Sequence, residues 1–133
     1  MALSVVRLGS PREPGEGLRL GTVRRPPRGV PKARFAVDDW YDRWLPLLSP
    51  SADTIKLGQV ADSAAQWKLF SRRYRAEMAE PGPSQMIGLL AALSHQTALS
   101  VGCYCEDESR CHRSLLQGLL AEAGAELATP ASA

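Results

Sequence analysis

All three cysteines of the chain and one of its two histidines fall within ten residues: Cys103, Cys105, Cys111 and His112. Three kinds of chemistry are open to such a cluster. The first is metal binding. Cys103 and Cys105 stand two apart on an expected strand end and point the same way. Cys111 and His112 open the helix that follows, so four soft donors could close around zinc or iron. The spacing is not a common zinc pattern, and Cys103 is equally at home as a small buried hydrophobe. The second is thiol chemistry. Cys111 lies near a helix N-terminus, between Arg110 and His112-Arg113, where positive potential favours a thiolate. Cys105 faces the carboxylates of Glu106, Asp107 and Glu108, which raise a neighbouring thiol's pKa and repel anions. No arginine stands six residues after any cysteine, which excludes a phosphatase-type loop. The plainer alternative is a packed thiol on the first helical turn.

The third chemistry is anion binding, and it draws on more of the unusual features than the others. Arg24, Arg28 and Lys32 lie in a proline-rich basic loop. If the strand before that loop neighbours the strand before Cys105, these cations converge with Arg113 on a helix start with free N–H groups. His112 is the expected acid or base, with Cys111 or Asp107 behind it, and Asp107 or Glu77 could orient an arginine. The favoured reading is a crevice between residues 24–32 and 105–113 for a phosphate, nucleotide or carboxylate, with the reaction left open. A non-catalytic structural or regulatory role is the alternative in which Arg113 merely pairs with an acidic turn residue.

These residues need a scaffold. Ala98 to Cys103 is small and branched, bounded by polar residues, as suits a short buried strand. Leu115, Leu116, Leu119 and Leu120 then repeat at helical spacing, with Ser109 or Asp107 as cap and Gly124 as the stop. Upstream, Ser4 to Leu8 and Leu18 to Val23 read as strands, the second with Leu18, Leu20 and Thr22 on one face. A helix is expected from Ala36 to Leu48 on the stripe Val37, Trp40, Tyr41, Trp44, Leu47 and Leu48. Ser51 can cap a short helix with Asp53 in its first turn. Asp62 can cap a longer one to Glu80, burying Ala65, Trp67, Phe70, Tyr74 and Met78. Pro81-Gly82-Pro83 stops that helix, and Ser84 caps another that packs Met86, Leu89, Leu90 and Leu93 inward. One strand too few is apparent for a doubly wound sheet, and residues 53–60 are the place to look for a hidden one.

The expected fold is a single small three-layer-like α/β domain over residues 1–127, with a short, mostly parallel sheet flanked by helices. Residues 128–133 form a flexible tail. The 133 residues are 44% hydrophobic and 23% charged, ordinary for one globular core. No run approaches the roughly 20 apolar residues of a membrane span. The N-terminus lacks a signal-peptide pattern, so a cytoplasmic setting with reduced thiols is expected. The net charge of +2 is uneven: residues 1–34 hold eight basic and two acidic side chains, the remainder eight and twelve. A basic segment can meet nucleic acid. That partner is disfavoured because the loop carries prolines where stacking aromatics would be needed.

Four blocks also carry a resemblance. They are Gly17-Leu18-Arg19 through Arg24 with Pro27-Arg28-Gly29 and Lys32, Trp44 with Ser49-Pro50-Ser51, Phe70 through Met78, and Cys103 through Arg113. In this order they resemble the YeaO-like branch of the DUF488 family. The resemblance implies a compact α/β fold and a candidate site, and no reaction. This chain has Val23 where the family usually has an aspartate, and Arg25-Pro26 in place of leucine-tryptophan. Any chemistry carried by that aspartate would be lost or altered here.

Overall fold

The computed structural model describes residues 2–59, 61, 63–105 and 111–128. Four strands, β1 (Leu3–Arg7), β2 (Leu18–Gly21), β3 (Arg43–Trp44) and β4 (Leu99–Cys103), form one sheet in the order β1-β4-β2-β3. Every pairing is parallel. The helices are α1 (Ala52–Gln59), α2 (Ala64–Met78), α3 (Pro81–Leu93) and α4 (His112–Glu122). The chain is a small α/β domain.

Strand β4 is flanked by β1 and β2, and all five of its residues are buried. A strand covered on both faces cannot alternate polar and apolar residues, which is why it reads as a run of small and branched side chains. One face of the sheet presents Leu3, Leu20, Leu99 and Val101 to Tyr74, Met78, Ile87, Leu90, Leu116 and Leu120 of α2, α3 and α4. The opposite face is covered by irregular chain rather than helix. There Arg19, wholly buried, pairs through its Nε with Glu16 at 2.8 Å, and Glu16 accepts from Ser100 Oγ on the neighbouring strand. The expected face of β2 is therefore only half the account: Leu18 is half exposed, while Arg19, Leu20 and Thr22 are all buried. Glycine is needed at Gly21, where a Cβ would enter the ring of Tyr41, and at Gly17, whose φ of 80° is left-handed.

The helix expected over Ala36–Leu48 does not form. Asp39 has a φ of 62°, and Pro46 opens a single 3-10 turn at Pro46–Leu48. Between them the backbone is drawn into the sheet: Asp42 N–H donates to the Arg19 carbonyl and Leu45 N–H to that of Gly21, both at 2.8 Å. Arg12 and the Arg19 amide bind the Asp42 carboxylate from the same side. Tertiary hydrogen bonds thus override a helical stripe whose Val37 and Trp44 remain exposed. The hidden strand is β3, and residues 53–60 instead fall largely in α1, with the Ser51 hydroxyl accepting from Thr54 N–H.

Two further boundaries differ. Pro81 starts α3 in its first turn, where a missing N–H costs nothing, so Ser84 lies inside the helix rather than at its cap. Its buried residues are Ile87, Leu90 and Ala91, while Leu89 and Leu93 face outward. Ser63 caps α2 by accepting from Gln66 N–H; Asp62 lies outside the described residues. Helix α4 ends before Gly124, at φ 93°. Beyond it the chain runs beside β1, with Leu3 N–H donating to the Glu126 carbonyl and Ala128 N–H to that of Leu3. Residues 129–133 of the expected tail lie outside the described residues.

Candidate functional site

In a parallel sheet all carboxyl ends lie at one edge, and the loops leaving them wall a crevice. Here that edge holds an open cleft of about 1720 Å³. Its wall includes Leu8, Gly9 and Ser10 after β1, Val23 to Pro27 after β2, Pro46 after β3, and Tyr104 and Cys105 after β4. Arg7, Arg24, Arg25, Arg28 and Lys56 line it, and no acidic residue does among the described residues. Neither Arg24, Arg25 nor Arg28 has an ion-pair partner among the described residues.

The start of the basic loop is held by two aromatic side chains. Trp44 Nε1–H donates to the Val23 carbonyl at 2.7 Å, and the Tyr104 hydroxyl to the Arg25 carbonyl at 2.9 Å. Tyr104 in turn meets Trp40 edge to face, with ring centroids 5.8 Å apart. Pro26 and Pro27 fix further dihedrals. A loop tied in this way loses less entropy when its cations engage a ligand.

Cys111 and His112 form part of the cleft floor. Cys111 is the N-cap residue of α4 and His112 its first helical residue. The imidazole Nε2–H donates to the Thr22 carbonyl at 2.7 Å, which leaves Nδ1 as the lone-pair nitrogen on the side of Cys111 Sγ, 3.8 Å away. Burial lowers the His112 pKa to about 4, so the ring is neutral across the physiological range. Such a ring can accept a proton or ligate a metal, but it adds no charge to the cleft. Cys103 lies against this pair in a small apolar cluster with Leu8, Val23, Tyr41 and Cys111. The Cys103 and Cys111 sulfurs meet in disulfide contact, where reduced thiols are expected from the sequence, with Cα atoms 7.9 Å apart.

The expected site residues therefore divide. Arg24, Arg28, Cys111 and His112 are brought to the cleft, together with Cys103 and Cys105. Lys32 is not: it sits exposed in a 3-10 turn at Lys32–Arg34, because the chain turns away after Pro31. Arg113 is buried beneath the floor, where its guanidinium donates to the Cys105 carbonyl at 2.9 Å and steadies the end of β4. It positions the site and does not line it. Cys105 is exposed, away from the buried Cys103, Cys111 and His112, so the four-ligand metal set reduces to three. Glu77 neither orients an arginine nor acts in the cleft; it accepts from Ser51 and Thr54 at the start of α1. Asp107, with the acidic turn and Arg110, lies outside the described residues.

Sequence reasoning did not single out Arg7, Arg25 or Lys56. Arg7 is the last residue of β1 and Arg25 follows β2 closely, so the rule about carboxyl ends could have found both. Lys56 reaches the cleft from α1, which gave no such signal.

Fold and site together define a parallel α/β protein with an open crevice at the sheet's carboxyl edge. The chain matches the family model DUF488-N3a, the active DUF488-N3 subclade, over residues 3–124, and it belongs to the DUF488 family. The narrower YeaO-like likeness rests on the four sequence blocks alone. No curated protein and no solved structure matches the chain. Val23 packs in the Cys103–Cys111 cluster and places apolar surface there.

Proposed function

We propose that the cleft binds an anionic small molecule, with a nucleotide fitting better than a bare phosphate or carboxylate. The observation that carries this reading is the lining of five basic and no acidic side chains among the described residues. Low-dielectric walls around charges of one sign focus the field on an incoming anion. Trp40, Trp44, Phe70 and Tyr104 line the same space and offer aromatic surface to a base. Cys111 and His112, at the floor, are the groups placed to act on what binds. A cytoplasmic setting belongs to this reading as an expectation from the sequence, and no described helix is long and apolar enough to cross a membrane.

Thermal shift and titration calorimetry with adenosine monophosphate, adenosine triphosphate, inorganic phosphate and citrate test the proposal. Nucleotides should raise the melting temperature, and Arg24→Ala and Arg28→Ala should each weaken binding by roughly 10- to 100-fold, the worth of a hydrogen bond to a charged group. Affinity should fall with added salt. No response to any of these anions at low salt would overturn it.

A further inference from the structure

Three donor groups meet beneath the cleft in a way the anion reading does not require. Cys103 Sγ comes from the end of β4, Cys111 Sγ from the N-cap of α4, and a ring nitrogen of His112 from the helix's first residue. Their ligand atoms lie within 4.8 Å of one another, and all three residues are buried. We propose that Cys103, Cys111 and His112 bind one thiophilic divalent cation, Zn²⁺, with its fourth position open to the cleft.

Three observations support the assignment. The Thr22 carbonyl holds His112 Nε2–H, so Nδ1 carries the lone pair on the Cys111 side. A ligating histidine is oriented in the same manner, by a carbonyl or carboxylate on its other nitrogen. The Cys103 and Cys111 Cα atoms are 7.9 Å apart, beyond the roughly 4.4–6.8 Å that disulfides span. With that contact reduced, the two sulfurs stand together as a paired donor set beside His112. Finally, two sulfurs and one imidazole make the donor set of a three-ligand zinc centre, which keeps a position for water or substrate. Cys111 and His112 both line the cleft, so that position faces it. Binding deprotonates both thiols, releasing two protons to solvent.

The inference shares Cys111 and His112 with the anion reading, whose binding rests on the basic loop, and its test separates the two. The full chain, purified anaerobically under reducing conditions, is titrated with Co²⁺ in place of Zn²⁺. The expected result is one equivalent bound, with thiolate charge-transfer absorption in the near ultraviolet and visible bands of a four-coordinate ion, both abolished by added Zn²⁺. Cys111→Ser and His112→Asn should lose or shift these bands. Cys105→Ser and Arg28→Ala should keep them, although Arg28→Ala loses the anion response. Because a core variant can fail to fold, thiol alkylation of the unaltered chain provides a second reading: Zn²⁺ should slow modification of Cys103 and Cys111 at least tenfold and leave Cys105 unchanged. Absence of the cobalt bands in the reduced chain would overturn the proposal. So would equal alkylation with and without Zn²⁺, or recovery of Cys103 and Cys111 as a disulfide from the anaerobic sample.

Discussion

The same basic stretch of chain builds two opposite kinds of site. Arg12 and Arg19 are absorbed into the protein, whereas Arg24, Arg25 and Arg28 face a cleft. Arg19 has every side of its guanidinium occupied: two bonds to Glu16, and one each to the carbonyls of Ser10 and Asp39 at 2.9 and 2.7 Å. Arg12 grips Asp42 with two nitrogens and Asp39 with a third. A buried cation must have its charge and its donors satisfied, so the chain around it supplies carboxylates and carbonyls. Arg24, Arg25 and Arg28 belong to a loop anchored by Trp44 and Tyr104, and have no carboxylate partner among the described residues. The difference teaches that a basic composition says little until each charge is assigned its partner. In residues 1–34 the excess of +6 narrows to Arg24, Arg25 and Arg28 as the cleft cations without an ion-pair partner among the described residues.

Removing one partner from the buried set should break the comparison most sharply. Arg19→Met leaves Glu16 as an uncompensated buried carboxylate, and the expected loss is about 3–5 kcal/mol of unfolding free energy. Arg28→Ala should change stability by no more than about 0.5 kcal/mol while weakening nucleotide binding. Urea denaturation followed by circular dichroism measures both. The double variant Arg19→Met/Glu16→Leu should recover most of the loss, since neither charge is then stranded. A single variant that unfolds at nearly the wild-type urea concentration would show that the Arg19 network adds little.

What could be read in advance follows the same division between local and tertiary causes. Strands β1 and β4 and helices α1, α2 and α4 were legible because their apolar patterns lie within the segments themselves, although Ser63 and Cys111, not the expected Asp62 and Ser109 or Asp107, are the N-cap residues of α2 and α4. Leu115, Leu116, Leu119 and Leu120 announce α4 without help from the rest of the chain. Residues 36–48 were not legible. Their helical stripe is real as a pattern, but Asp42 is claimed by Arg12 and Arg19, more than twenty residues away. The candidate site shows the same limit. Arg24, Arg28, Cys111 and His112 could be named from composition and spacing. The turn that carries Lys32 away and the burial of Arg113 depend on packing that no local window contains. Lys56 reaches the cleft only because α1 packs beside it.

Acid should act on the buried set as well. Burial works to raise the Glu16 carboxyl, but the bonds from Arg19 and Ser100 outweigh it and hold the group below the ordinary carboxylate range. Asp42 is likewise lowered: its burial opposes ionisation, and Arg12 together with the Arg19 amide overcomes it. A folded-state pKa below the unfolded one means that the stabilisation is complete above the unfolded pKa. It is then lost as pH falls through the folded value. The carboxylate contribution to the urea midpoint should therefore be flat from pH 7 to about 5 and decline below about 4.5, the ordinary carboxylate value. The Arg19→Met/Glu16→Leu variant should decline less steeply. Parallel curves for the two proteins would assign the acid sensitivity to other carboxylates. His112 acts from higher pH: burial lowers its folded pKa from 6.5 to about 4, so the unfolded chain takes up the proton first and stability falls as pH drops through that interval.

A smaller effect than at Arg19 is expected where a charge is partly buried and caps a helix. Glu77 on α2 accepts from the Ser51 amide at 2.9 Å, the Ser51 hydroxyl at 2.6 Å and the Thr54 hydroxyl at 2.7 Å, all at the start of α1. Burial opposes its ionisation, and the bonds from Ser51 and Thr54 hold its pKa below the ordinary value. Glu77→Gln keeps the shape, removes the charge from a helix N-terminus and should cost about 1 kcal/mol. The same helix carries Ile55 and Lys56 to the cleft wall. A loosened α1 should therefore weaken nucleotide binding by a fewfold through Lys56. That result would place Glu77 between the two sets of charges, buried enough to stabilise and close enough to tune the cleft. A stability loss with unaltered binding would confine Glu77 to capping and leave the cleft to the loop after β2.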